Sequence, residues 1–207
     1  MSLSSSPLPD LPPEAPGDEP RQVRGKALVA KVLTATIAEL ARVGYENLAI
    51  EQVAEVAGVN KTTIYRRWAT RRELTQAALG QIADMVPAPP DTGSLRGDLI
   101  GSLQMFRDLT RQPGIMGLMR MLCGGQLHDD IAQFAESIRQ TKEAESMVIY
   151  TRAVERGELP ADTDAWLLHT LAAGAIQNLV LFLHDPCDDR RIAQIVDLLL
   201  DGARRRR

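Results

Sequence analysis

Apolar residues recur every three or four positions along this chain from Arg24 onward, and nowhere do they alternate with polar ones over the length of a strand. A period near 3.6 gathers such residues on one face of a helix, whereas a β-strand needs a period of two. The chain is therefore expected to be all-α, with about nine helices. Ala30, Leu33, Ile37, Leu40 and Ala41 stripe the first, which Gly44 closes as a left-handed cap. A short helix follows from about Ile50 to Ala57, and Asn60 caps a second short one through Ile64 to Trp68. Thr70-Arg71-Arg72-Glu73 is a capping box that starts a fourth helix running to about Val86. Five further patterns lie at 94–111, 113–123, 127–156, 162–183 and 186–203. Gly157 and Pro160 end the third of these, and Asp185-Pro186 opens the last with an acid at the cap and proline at the first helical position.

Two breaks organise the chain. Residues 1–23 hold six of the twelve prolines, four serines and few apolar residues, which predicts a disordered tail. Pro87-Ala88-Pro89-Pro90 stops the fourth helix and separates a head, 24–86, from a helical remainder, 87–207. The net charge of −3 conceals an asymmetry: four acids and no base in 1–20, ten Lys/Arg against six Asp/Glu in 21–86, fourteen against seventeen in 87–207. A basic segment on an acidic remainder is the footprint of a head that meets phosphate. No run of eighteen apolar residues exists, so no membrane span is expected, and no positive stretch followed by an apolar one suggests a secretory leader. Cys123 and Cys187 stand apart, without the paired spacing of a zinc site or disulfide framework. A cytoplasmic protein with reduced thiols, no metal and no cofactor is the expectation.

The two short helices joined at Gly58 read as a helix-turn-helix. Glycine accepts the positive φ of a tight turn, Val59 can tuck beneath it, and Ala54 and Ala57 are small where the helices approach. The second helix, about 61–68, carries Lys61, Thr62, Thr63, Tyr65, Arg66 and Arg67, with no acid anywhere in 60–72. Ile64 and Trp68, four apart, anchor it inward and leave the rest for a major groove. Lys61 could donate to guanine, Thr62 and Thr63 could touch a thymine methyl or a phosphate, and Tyr65 and Arg66 suit the backbone. Arg71 opens the next helix, where exposed N–H groups and a cation together suit phosphate. Arg24 and Lys26, the cations at the start of the first helix, are assigned to DNA as well.

Residues 24–86 resemble the DNA-binding domain of the TetR (tetracycline-repressor-like) family. The run from Gly44 through the Gly58 turn to Trp68 follows the family pattern almost position by position, and Arg71, Glu73 and Leu74 keep its helix-four start. Thr92-Gly93-Ser94-Leu95-Arg96-Gly97-Asp98-Leu99 is similar to the opening of one C-terminal subtype. Departures are Ala49, where Thr or Ser usually opens helix two, Asn60 for Ser, Trp68 for Phe, and Arg71 for Lys. The resemblance implies a homodimeric, sequence-specific regulator of transcription, a repressor released from a palindromic double-stranded DNA operator by a small-molecule effector.

The last two helices supply the expected dimer interface: Leu171, Ala175, Leu179 and Phe182 from the first, Ile192, Val196 and Leu199 from the second. A helix apolar on most sides must be covered on most sides, in a dimer or in a monomer core. Ligand contacts are assigned to Met105, Phe106, Met119, Cys123, Phe134 and Ile138, with Trp166, His169 and Asn178 beyond them; the apolar ones can equally fill a plain core. Two other readings stand beside this one. A helical small-molecule-binding or scaffold protein with degraded DNA binding is hinted at by Ala49 alone. A metal-dependent enzyme would need His128-Asp129-Asp130 or the His184–Asp189 run as ligands, but acids at helix starts are ordinary caps.

Overall fold

The computed structural model describes residues 21–124 and 129–203, with backbone alone at 21–24, 130 and 203. Among the described residues there are ten α-helices and no strand. The head comprises α1 (Arg21–Val43), α2 (Ile50–Ala57), α3 (Lys61–Tyr65) and α4 (Arg71–Met85). The body comprises α5 (Leu95–Thr110), α6 (Ile115–Cys123), α7 (Asp129–Ser146), α8 (Val148–Glu155), α9 (Ala165–Gln177) and α10 (Asp189–Ala203). Residues 1–20 of the expected tail lie outside the described residues, and α1 begins at Arg21.

The head closes around α1, which packs on α2 and α4. Val53, Ile64, Leu74 and Ala78 are completely buried there, with Leu40 and Ala57 nearly so. A second core gathers α5, α8, α9 and α10 around Leu95, Tyr150, Ile176 and Ile192. Helix α6 belongs to both: Ile115 and Leu118 enter the first core, while Met116 packs against the second. Two glycines make that approach possible. A Cβ on Gly117 would sit 2.8 Å from the Ala41 methyl, and one on Gly114 would sit 3.2 Å from the Ala38 backbone.

The segment between head and body is pinned by a buried carboxylate. Asp98 accepts from the Thr92 N–H at 2.6 Å and its hydroxyl at 2.7 Å, and pairs with Arg156 at 3.3 Å. Ser94 caps α5 by accepting from the Gly97 N–H. A side chain at Gly97 would collide with Thr92 Oγ1 at 2.2 Å, so the Thr92–Asp98 run is a structural clasp.

Three differences from the sequence expectation have local causes. The pattern over 127–156 is two helices with a break at Met147, whose N–H is shared between the Glu143 and Ala144 carbonyls. One residue earlier the Ser146 hydroxyl donates to the Lys142 carbonyl, a back-bond that bends helices. Counting α7 and α8 as one bent rod gives nine. The pattern over 162–183 ends in a π-helical turn, Asn178–Phe182. The last helix starts at Asp189 instead of 186, because His184 and Cys187 both take positive φ. Asp188 then caps it, accepting from the Arg191 N–H at 2.8 Å.

Candidate nucleic-acid interface

The turn from α2 into α3 is built by backbone chemistry. Gly58 has φ +59°, its N–H donates to the Glu55 carbonyl, and the Val59 N–H donates to the Ala54 carbonyl. This paired closure satisfies two otherwise orphaned carbonyls and requires a residue tolerant of the left-handed region. Asn60 Oδ1 accepts from the Thr62 N–H at 3.0 Å and starts α3. Helical hydrogen bonding continues through Arg66, Arg67 and Trp68 as a tightening turn beyond Tyr65. The Thr70 hydroxyl accepts from the Glu73 N–H, while Glu73 accepts from the Ala69 N–H one residue before the cap.

Burial decides what α3 presents. Ile64 is fully buried and Trp68 packs half-buried beside it, which turns the opposite face outward. Lys61, Thr62, Tyr65, Arg66 and Arg67 are exposed and Thr63 is half-buried. Tyr65 keeps 43% of its surface open, unusual for a ring with no pocket to fill. These six residues therefore share one outward face. Lys26 is exposed on α1, whereas the side chain of Arg24 lies outside the described residues.

The cations differ in how free they are. Lys61 Nζ stands 3.8 Å from Glu51 Oε1 with both side chains more than half exposed, a pair that solvent weakens and a phosphate can replace. Arg71 is engaged within the fold: its guanidinium lies 4.4 Å from the Tyr45 ring centroid and donates to the Glu46 carbonyl. It braces the loop before α2 from the start of α4. The Thr62 hydroxyl is likewise occupied, donating to Asn60 Oδ1 at 2.9 Å. Lys31 was missed by sequence reasoning. Its Nζ lies 3.5 Å from where a Cβ on Gly58 would stand, so α1 delivers a cation to the turn between α2 and α3. No motif marks it; only the approach of α1 to the turn reveals it. At α2, Ala49 occupies the cap position without a side-chain bond.

The ligand candidates divide. Met119, Phe134 and Ile138 pack against the head core, and Met119 with Phe106 also reaches the second core, while Met105 is half-buried on α5. Cys123, Trp166 and Asn178 are exposed, the last two on the outer side of α9 and its π-turn. His169 is half-buried against Tyr150. A cleft of about 110 Å³ beside Leu95, Leu159 and Leu200 includes none of these residues.

The dimer candidates divide as well. Leu171 and Phe182 face outward, together with Trp166, Leu167 and Leu183, and Ala175 and Leu179 flank them half-buried. On α10, Leu199 is half-buried, but Ile192 and Val196 are completely buried in their own core. Those two pack α10 onto its own body, and the large apolar residue facing outward on α10 is Leu198, 76% exposed. By length and composition, Ala165–Phe182 is apolar enough to cross a membrane, with mean hydropathy 1.4. Its inner positions Leu168, Ala172, Ile176 and Val180 instead form core.

Among the described residues no group of three or more His, Cys, Asp or Glu could hold an ion. His128 lies outside the described residues, as does Arg204–Arg207. His184 stands 2.9 Å from Arg120. Asp189 and Asp108 share Arg107, whose hydrogen bonds hold both carboxyls below the usual range.

Residues 32–78 match the family described as bacterial regulatory proteins, tetR family, and residues 89–199 match the tetracyclin repressor-like C-terminal domain. The chain is 33% identical over 197 residues to the DNA-binding transcriptional repressor TetR of Mycobacteroides abscessus, covering 87% of this chain and 98% of that one. It is 31% identical over 184 residues to the HTH-type transcriptional regulator AqdR of Rhodococcus erythropolis, covering 87% of each. Among solved structures, the TetR family transcription regulator SCO0332 superposes with a TM-score of 0.61 at 29% identity, over 86% of this chain and 99% of that one. MexZ, a repressor of Pseudomonas aeruginosa, reaches 0.70 at 21% identity over 87% and 96%, a likeness of fold.

Proposed function

Because this chain belongs to the tetR family of bacterial regulatory proteins, it is a DNA-binding transcription regulator and not an enzyme, and we propose that it acts as a homodimeric repressor released from its operator by a small ligand. The observation that carries this reading is the outward face of α3, where Lys61, Thr63, Tyr65, Arg66 and Arg67 stand clear of the core anchored by Ile64. Such a helix enters a major groove with its first residues at base edges. Lys31 on α1 joins Lys26 among the phosphate contacts, and Arg71 becomes a brace.

The second copy is supported by the outer face of α9. Trp166, Leu167, Leu171, Phe182 and Leu183 are each about half exposed or more, and Gly174 leaves open space among them. Apolar surface so concentrated marks an interaction site. Pairing this stripe with its copy, with Leu198 at the margin, sets two α3 helices about one DNA turn (~34–36 Å) apart. Helix α6, shared by both cores, is the path by which a ligand in the body alters that spacing.

Selection of binding sequences from a randomised duplex pool, at stated salt, tests the reading. The expected product is a palindrome with fixed half-site spacing. Salt-sensitive recovery of bulk DNA without a motif would overturn it.

A further inference from the structure

One side chain in the body core has an unmet need. Tyr150 on α8 is 2% exposed, and its hydroxyl is buried with no hydrogen-bond partner. Buried hydroxyls left without a partner are costly and rare. Among the described residues the other such atom is Thr75 Oγ1 on α4, which belongs to a helical threonine and lies one turn from a backbone carbonyl. A tyrosine hydroxyl, a ring's length from its backbone, has none. Phenylalanine would fill the same space without the cost, so the hydroxyl is explained by something that reaches it.

Its surroundings define what that is. His169 on α9 meets the Tyr150 ring edge-on, with centroids 6.0 Å apart and planes at 88°. Burial pushes the Tyr150 phenol up and the His169 imidazole down, so one keeps its proton to donate and the other stays neutral. Phe106, Met116, Met119 and Met147 pack half-buried against the same core, and methionine yields readily to an inserted molecule. Cations of the body are engaged in ion pairs: Arg107 with Asp108 and Asp189, Arg156 with Asp98 and Glu158, Arg139 with Glu136 and Glu143. Glu143 also directs negative potential at His169. An anion beside His169 would meet that repulsion.

We propose that Tyr150 and His169 are the polar contacts of the effector site, and that the effector is a neutral, largely apolar molecule with a carbonyl oxygen that accepts from the Tyr150 hydroxyl. This rests on the reading of the chain as a ligand-released regulator and names the ligand's chemistry. The ketone inserts between α8 and α9 where the methionines give way, and its oxygen takes the hydrogen bond that the hydroxyl lacks.

The test uses the full chain and Tyr150→Phe, each labelled with fluorotyrosine at every tyrosine it contains so that the substitution assigns the Tyr150 signal, and two probes of similar shape. These are benzylacetone and isopentylbenzene, in which the carbonyl is replaced by a methyl-bearing carbon. Benzylacetone is expected to shift the Tyr150 fluorine resonance and to bind Tyr150→Phe about tenfold more weakly. Isopentylbenzene is expected to bind both proteins alike. Equal binding of benzylacetone to both proteins, or no shift in the unsubstituted chain, overturns the proposal. Thermal melting adds an independent reading. Tyr150→Phe should melt at or above the parent temperature, and a fall of several degrees would mean that the hydroxyl already has a partner, which also overturns it. Release of the selected operator duplex is scored separately. Ketone binding that depends on Tyr150 but leaves the duplex bound keeps this site and removes the release.

Discussion

Among individual residues, the decisive property is whether a side chain is still available after the fold has used it. Arg71 and Lys61 are both cations of the head, yet one lies over Tyr45 and the other faces Glu51 loosely across solvent. Arg71→Ala should lower the stability of the head by about 1 kcal/mol, from lost stacking and hydrogen bonding, and weaken binding to all duplexes equally. Urea unfolding and salt-matched gel shifts on operator and scrambled duplex check this. Lys61→Ala should leave stability unchanged and alter the selected motif instead, at a cost of about 1–3 kcal/mol at one base pair. A uniform loss across sequences would make Lys61 a phosphate contact. The sequence displayed both cations alike, because a list of charges along α3 and α4 does not reveal that Tyr45, twenty-six positions earlier, is beneath one of them.

Among helices, caps and turns were legible and bends were not. Asn60 and Thr70 each accept the hydrogen bond expected of them, because capping depends on residues two or three apart, whereas the cap expected at Asp185 forms three residues later at Asp188. The break at Met147 depends on a Ser146 back-bond competing with a helical pattern that runs on unchanged, and periodicity is blind to it. Nor does periodicity distinguish the two sides of α9, apolar on both: Ile176 fills the core while Leu171 faces outward. Close approaches give sharper expectations. Gly117→Ala adds a methyl 2.8 Å from Ala41, so α6 must move away from α1. A loss of about 1–3 kcal/mol in urea unfolding is expected, with operator affinity altered although the substitution lies far from DNA. Asp98→Ala should cost about 2–4 kcal/mol by leaving the Thr92 N–H without its acceptor and taking one of the carboxylates from Arg156, and Asp98→Asn, which retains an acceptor, about half.

For the whole molecule, the outer stripe of α9 governs assembly. Leu171→Glu places a charge in the middle of it, half exposed in the single chain and therefore harmless to the protomer core. Sedimentation should find a monomer with unchanged helical circular dichroism. Operator affinity should fall by at least a hundredfold, since one α3 alone spans a single half-site. An unchanged dimer would exclude the stripe as the contact. The head could be read from its sequence because its chemistry is local. The faces for a partner and a ligand were read less well, because Ile192 and Leu198 differ only in which side of α10 they occupy.

The sharing of α6 between two cores also bears on how such a protein can be taken apart. The proline run at 87–90 looks like a seam, yet Ile115 and Leu118 from beyond it are completely or almost completely buried in the head. A fragment ending at that seam would carry the reading helix but expose the floor on which it rests. Grafting this head onto a foreign body would therefore transplant an unfinished object, unless a counterpart of α6 came with it. What the proline run divides along the chain is, once folded, a joint whose tongue belongs to the other piece.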